Sequence, residues 1–387
     1  MNPISEGIKA QRQYMIDLRR HFHAHPEPSF EEFETSKRVQ EELEAMGISF
    51  EIMAGTGVVG TIEGTRPGKT VALRADMDAL MVTQENDVPY KSTREGVMHA
   101  CGHDGHTAML LGAARVLKSL ENTFEGTVKL IFQPAEELVA GARKMIEAGA
   151  LEDVDGLLGI HLWMGLPTGQ ISAEAGPRMA SGDYVECHIE GRGGHGSMPN
   201  QGVDAALIAA AFIMNINALM SREISPLEPT VLTFGEVDSG TRFNVLAARA
   251  KISGTARTFS PAIRAELPEI INRYGTFIAE SYRGNFSLNF NHGTPPTIND
   301  SHISSLARQS VEEFLGPEGN VLFEKTTGSE DLAYYLERLP GAIAFVGCQN
   351  SAKGILHPHH HPRFDIDEEA LAHGAELYAR FALNFLK

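Results

Sequence analysis

Short apolar runs alternate with longer stretches of helical period, and the rhythm changes twice along the chain. Ile8, Met15, Leu18 and Phe22 recur at helical spacing, as do the apolar residues of 33–46, where Gly47 stands as a C-terminal cap. Apolar runs at 58–62 and 71–73, bounded by Gly, Pro or Thr, read as buried strands. A small-residue helix over about 106–119, a strand at 127–132, a helix over about 140–148 and a strand at 156–161 follow. Such alternation implies βαβ units and a mainly parallel sheet covered on both faces. After Gly176 the order becomes strand (184–189), helix (203–220), two strands (230–237 and 248–258), helix (262–281) and strand (286–290). That β-α-β-β-α-β order is the ferredoxin-like arrangement. Gly176-Pro177 and Gly293-Thr294-Pro295-Pro296 flank it as hinges, and helices and a strand resume at 303–315, 331–337, 342–346 and from Glu368. The chain therefore reads as an α/β domain of residues 1–180 and 295–387, split by a smaller domain of residues 181–294.

Composition narrows the function. With 387 residues, 42% hydrophobic and 21% charged, the chain can bury a large core and matches neither a disordered nor a fibrous protein. Fifty acidic against 33 basic residues give a formal charge of −17, which argues against nucleic acid or an anionic membrane as partner. The odd count of 3 cysteines excludes a disulfide framework and fits a reducing compartment. Residues 1–20 lack the apolar run of a signal peptide. The longest apolar stretch, 205–220, is interrupted by Asn215 and Asn217 and falls short of the roughly 20 residues that span a bilayer. A soluble, cytoplasmic protein is expected.

Four segments carry chemistry. Cys101-Gly102-His103-Asp104-Gly105-His106 presents two ligands for a borderline-soft divalent metal on a glycine-eased turn. A Cys-His nucleophile or a helix-capping turn explains that segment equally well. Gln133-Pro134-Ala135-Glu136-Glu137 places adjacent carboxylates at a strand end, where they repel unless a cation or a proton relieves them. A solvated helix N-terminus is the plainer alternative. His161 ends an otherwise apolar strand, and a lone histidine there is more often a satisfied core residue. His357-Pro358-His359-His360-His361-Pro362-Arg363-Phe364 precedes an acidic helix start, and Asp76-Met77-Asp78 adds two carboxylates at another strand end. No one segment decides the matter. Together they put His, Cys or Glu at four strand ends or adjoining loops, the way an α/β sheet assembles a dinuclear metal centre.

Over nearly its whole length the chain resembles the M20 metallopeptidase family, in its amidohydrolase branch of hippurate hydrolases, N-acyl-amino-acid deacylases and plant auxin-conjugate hydrolases. The likeness rests on ordered motifs. They begin with Asp17-Leu18-Arg19-Arg20-His21-Phe22-His23-Ala24-His25-Pro26-Glu27, Leu73-Arg74-Ala75-Asp76-Met77-Asp78-Ala79-Leu80 and the Cys101 and Gln133 segments. Gly191-Arg192-Gly193-Gly194-His195, Gly254-Thr255-Ala256-Arg257-Thr258-Phe259, Gly328-Ser329-Glu330-Asp331 and His360-His361-Pro362-Arg363-Phe364 complete them.

The resemblance implies a discontinuous catalytic domain interrupted by a lid that dimerises. It implies two divalent metal ions (zinc, manganese, cobalt or nickel) held by Cys101 as a bridge, His103, Glu137, His161 and His360. The branch pattern His-x-Pro-x-Phe selects His360 over His361. Glu136 would be the general base, His195 the oxyanion donor acting in the partner subunit, and Asn244 and Arg257 contacts to the substrate carboxylate. The plainer readings of the last two are a turn cap and a surface ion pair. The implied activity is hydrolysis of N-acyl amino acids, a small-molecule substrate, with an M20 dipeptidase or carboxypeptidase as the alternative. A cysteine-nucleophile hydrolase and a non-catalytic relative are rivals from other classes. Met81, Ala247, Gly196-Ser197 and Asn200 depart from the branch pattern, as Asp76 does from the histidine common in the wider family. They touch substrate preference and leave the proposed ligands and base in place.

Overall fold

The computed structural model describes residues 3–387, apart from the side chain of Leu219. Two compact units emerge. One runs to Gly176 and resumes over Ile298–Glu324 and Glu330–Lys387; the other comprises Pro177–Thr297 and the short stretch Lys325–Ser329.

Among the described residues, the first unit contains a seven-stranded mixed sheet. Its four central strands, Thr127–Gln133, Thr70–Asp76, Gly156–Pro167 and Gly341–Gln349, are mutually parallel in that order. Antiparallel strands close both edges: Gly57–Glu63 and Ser49–Met53 on one side, Ile171–Ser172 on the other. Helices cover both faces, as the strand alternation shows directly. A Cβ on Gly156 would meet Phe385 and Ile303, whereas one on Gly159, on the opposite face, would meet Leu332.

The helix His103–Ser119 is buried along almost its whole length. Its small residues make that possible: Gly112 lies against Met15 and Gly105 against Leu162, with no room for a larger side chain. The structure departs from the sequence reading in places, the unread strands Ser49–Met53 and Ile171–Ser172 among them. The N-terminal helical stretch is two helices, Pro3–Ala10 and Arg12–Ala24. The strand expected to end at His161 continues to Pro167, so the histidine lies mid-strand.

The second unit has a four-stranded antiparallel sheet in the order Thr230–Ser239, Arg249–Thr258, Gly182–Glu190, Asn285–Thr294. Two helices pack on it. Pro261–Ser281 starts at Ser260, whose hydroxyl accepts the Ile263 N–H. Ala205–Glu223, at 19 residues, is long and apolar enough by length and composition to cross a bilayer. Here its Ile208, Ala209, Phe212 and Ile216 are buried in the core of the unit, against the sheet.

Candidate metal centre

The parallel strands deliver their C-terminal ends to one edge of the sheet, where side chains from successive strands can meet. Asp76 closes its strand there, and Gln133 opens the loop carrying Glu136 and Glu137. Gly102, in the left-handed region at φ 96°, turns the chain sharply into the helix that begins at His103. Ala135, Val139 and His360 also adopt positive φ, a strained backbone for residues with a Cβ, and all three lie in the site loops. His360 is further tied by its own N–H to the Ala100 carbonyl at 2.8 Å.

Five side chains converge. Ligand atoms of Cys101, His103 and His161 lie within 4.8 Å of one another, and so do those of Cys101, Glu137 and His360. Cys101 is common to both groups. Cys101 Sγ and His161 Nε2 are 3.5 Å apart, and His360 Nε2 and Glu137 Oε1 are also 3.5 Å apart. Two atoms each about 2 Å from one tetrahedral ion stand roughly 3.3 Å apart, and slightly more when one is sulfur. His103 Nε2 and Glu137 Oε1 are buried with no hydrogen-bond partner, 3.9 Å from each other. Burying two such groups without partners costs several kcal/mol (order of magnitude) unless something accepts their lone pairs. The donor set fits a divalent cation.

Hydrogen bonds fix which ring nitrogens face the centre. His103 Nδ1 donates to the Asp78 carbonyl at 2.9 Å and His161 Nδ1 to the Leu162 carbonyl at 2.7 Å, so each ring turns its Nε2 inward. His106 differs. Its Nδ1 donates to Asp76 at 2.6 Å while its Nε2 accepts the Leu162 N–H at 2.8 Å, so both nitrogens are spoken for. His359 accepts the Met164 N–H and packs on Trp163, and His361 stacks on His357 at 4.4 Å. Only His360 of that run joins Glu137 and Cys101 in a convergent group among the described residues.

The electrostatics are those of a cation site. Burial works against a charged His103, but Asp76, Asp78 and Glu137 outweigh it and raise its pKa to about 10. Burial pushes the Glu136 carboxyl well above its usual range, reinforced by Glu330, Glu137 and Asp331. Burial likewise raises the Cys101 thiol, with Glu137 and Glu136 adding to it. A thiol held protonated is a poor nucleophile, which weighs against the cysteine-hydrolase reading. A cation reverses this by favouring the thiolate.

Several contacts could not be read from the sequence. Asp78 accepts the N–H groups of both Glu136 and Glu137 at 3.1 Å, besides the His103 contact. Behind Glu136, the buried Arg74 is bonded to Asp76, Glu330 and Asp331 at 2.7 to 3.0 Å. Asp331 also donates its N–H toward Glu136 at 3.4 Å. These groups stood in the motifs already, but their partners lie far off in sequence.

The remaining predicted residues belong to the second unit. His195 forms a two-residue ladder in which Val245 is its opposite, with the Gly196 N–H on the Asn244 carbonyl at 2.9 Å. Asn244 thus sits in the turn before this ladder and beside His195. The Ser197 N–H donates to His195 Nδ1 at 3.1 Å, which leaves the proton on Nε2. Arg257 lies within the strand Arg249–Thr258 and donates to the Ser329 hydroxyl at 2.9 Å.

Comparison with known proteins identifies the family. The sequence model of Peptidase family M20/M25/M40 matches residues 72–384. An Arabidopsis thaliana protein named IAA-amino acid hydrolase ILR1-like 4 is 41% identical over 96% of this chain and 86% of its own. Thermostable carboxypeptidase 2 of Saccharolobus solfataricus is 38% identical over 99% of this chain and 98% of its own. The crystal structure of the Bacillus subtilis YXEP protein, described as a dinuclear metal binding peptidase from the M20 family, is 35% identical. It superposes with a TM-score of 0.88, covering 98% of this chain and 99% of that one. With the family's sequence model matching most of the chain and relatives 41% and 38% identical spanning nearly all of it, the chain belongs to the M20/M25/M40 peptidase family and is a hydrolase of amide bonds.

Proposed function

We propose that the protein is a dinuclear metal-dependent amidohydrolase that cleaves N-acyl amino acids to a carboxylic acid and a free amino acid. The observation that carries this is the five-donor cluster with Glu136 beside it and two buried donor atoms left without partners. Cys101 would bridge, with His103 and His161 on one side and Glu137 and His360 on the other. Two bound divalent cations supply an acidified water and a polarised amide carbonyl. Glu136 takes the proton of that water and returns it to the departing amine. Asp78 keeps the backbone of Glu136 and Glu137 in place.

His195 of the second unit, acting in the partner subunit, is the oxyanion donor of this proposal, because its Nδ1 is occupied and Nε2–H is left to donate. Asn244 and Arg257 hold the substrate carboxylate. A chain of charge −17 needs such a local cation to receive an anion. Assembly as a homodimer through this unit is supported by Leu207 and Met214, exposed two turns apart on one face of the helix Ala205–Glu223.

The likeness to a carboxypeptidase supports a second reading, cleavage of a C-terminal residue from a dipeptide or peptide. One experiment addresses both. Amino-acid release is measured from N-acyl amino acids and dipeptides, with chelator-stripped enzyme and with aliquots reloaded with zinc, manganese, cobalt or nickel. Metal-restored release from acyl substrates over dipeptides is expected. Release by verified metal-free protein would sink the mechanism. The Glu136→Gln variant should retain wild-type metal content and lose turnover by at least about 100-fold; a tenth of wild-type activity would show that another group is the base.

A further inference from the structure

The N-terminal motif from Asp17 to Glu27 supplies none of the proposed ligands or catalytic groups, yet two of its side chains are buried to 0% exposure. One is a guanidinium. Arg19 Nε donates to Asp104 Oδ2 at 2.9 Å, and Nη2 donates to Asp365 Oδ1 at 2.7 Å. The other is His23. Gln84 donates to its Nε2 at 3.0 Å, which puts the ring proton on Nδ1, and Nδ1 donates to the same Asp104 oxygen at 2.8 Å.

The two carboxylates so engaged sit in the loops that carry metal donors. Asp104 follows His103 in the first helical turn, and its other oxygen accepts the Gly105 N–H at 2.9 Å. Asp365 lies in the loop that carries His360, with its Oδ1 also accepting the Ile366 N–H at 2.8 Å. Tyr90 closes the array by donating to Asp365 Oδ2 at 2.9 Å while its ring lies 4.7 Å below the Arg19 guanidinium. A guanidinium so deeply buried persists only where carboxylates surround it in good geometry. Here they do, and the price is that both loops are locked to one rigid group.

We propose that Arg19 and His23 are positioning residues of the metal centre: through Asp104 and Asp365 they hold the Cys101–His103 turn in register with the His360 loop. This rests on Cys101, His103 and His360 being ligands. Outer groups that orient ligands typically contribute about 10–100-fold to metal affinity. A merely structural role would lower stability and leave affinity unchanged.

The test uses the purified full chain, stripped of metal and titrated with zinc against a chromophoric chelator, and separately with cobalt(II). His23→Leu and Asp365→Ala should each weaken zinc binding by about 10–100-fold. They should also diminish the thiolate-to-cobalt absorption that reports Cys101. His23→Asn, whose amide can reach Asp104 from the Nδ1 position, should restore both. Wild-type affinity and a wild-type cobalt spectrum in folded His23→Leu and Asp365→Ala would overturn the proposal. Should His23→Leu fail to fold, Asp365→Ala decides alone, since that side chain is partly open to solvent at 16%. The wild type and Cys101→Ser separate the two layers of argument. A wild type that binds no cation, or a Cys101→Ser variant that keeps the cobalt band, overturns the ligand assignment and this proposal with it. A metal-binding wild type with indifferent brace variants overturns the brace alone.

Discussion

Asp78 shows how much one residue beside a metal centre can organise without being a ligand itself. Its carboxylate accepts the Ser29 hydroxyl at 2.6 Å and the N–H groups of Glu136 and Glu137 at 3.1 Å, while His103 Nδ1 lies 3.3 Å from Oδ1. Burial opposes its charge, but the His103 hydrogen bond and field hold its pKa below the usual carboxylate value. An asparagine would set an NH2 group against one of those N–H donors, leaving a buried donor unpaired at about 1–3 kcal/mol. Asp78→Asn should therefore lower kcat/KM by about 10–100-fold, as outer-shell losses do. Steady-state kinetics at saturating metal, with urea unfolding alongside, check this. A kcat/KM within twofold of wild type would mean that the Glu136–Glu137 backbone is held by other contacts.

At the scale of elements, the loop between the strand Thr127–Gln133 and the helix Gly141–Glu147 is the most tightly built part of the centre. A Cβ on Gly141 would lie 1.6 Å from the Pro134 carbonyl oxygen, a backbone atom that cannot rotate away. The Gly141 N–H bonds the Ala135 carbonyl at 3.1 Å, so the loop folds back onto its own beginning. Gly141→Ala should destabilise the protein by about 3 kcal/mol and depress turnover by displacing Glu136. Gly235, with nothing within 4 Å of its virtual Cβ, serves as the control and should tolerate alanine. Equal urea midpoints for the two variants would refute the argument. This loop also marks where sequence stops being sufficient. The strands of the parallel core are legible because burial on both faces forces continuous apolar runs, and the proposed ligands stand out because Cys, His and adjacent Glu residues are conspicuous at strand ends. The edge strand Ser49–Met53 is not legible, since it is mostly exposed and shows no buried alternation. The extent of the strand through His161 is hidden by the apolar residues on either side of it. Asp78, Arg74 and Arg19 are hidden for another reason: their partners lie dozens to hundreds of positions away, where no local pattern reaches.

For the whole molecule, the buried acidic groups that crowd the centre give the metal-free and metal-loaded forms different responses to pH. His103 is raised to about 10 by its carboxylates against the pull of burial, and Glu136 is raised well above its normal value by burial and its acidic neighbours. His103 binds a proton in the folded chain that the unfolded chain has released by pH 7 to 9, and the upward shift of Glu136 acts with the same sign above the usual carboxylate range. Stability of the stripped protein therefore falls as pH rises through that window. The buried histidines with lowered pKa, His99 near 4 among them, act with the opposite sign only below about 6.5 and do not interfere. A cation requires His103 neutral and competes with the Glu136 proton, so its binding releases protons and strengthens as pH rises. Each proton displaced corresponds to about 1.4 kcal/mol per pH unit. The gap in thermal midpoint between loaded and stripped protein should accordingly widen from pH 7 to pH 9 at fixed free metal, with the stripped form accounting for part of the change. Calorimetric scans of both forms at three pH values measure it. A constant or narrowing gap would show that the centre is already deprotonated at neutral pH, and that the carboxylates around His103 and Glu136 do not hold the protons assigned to them.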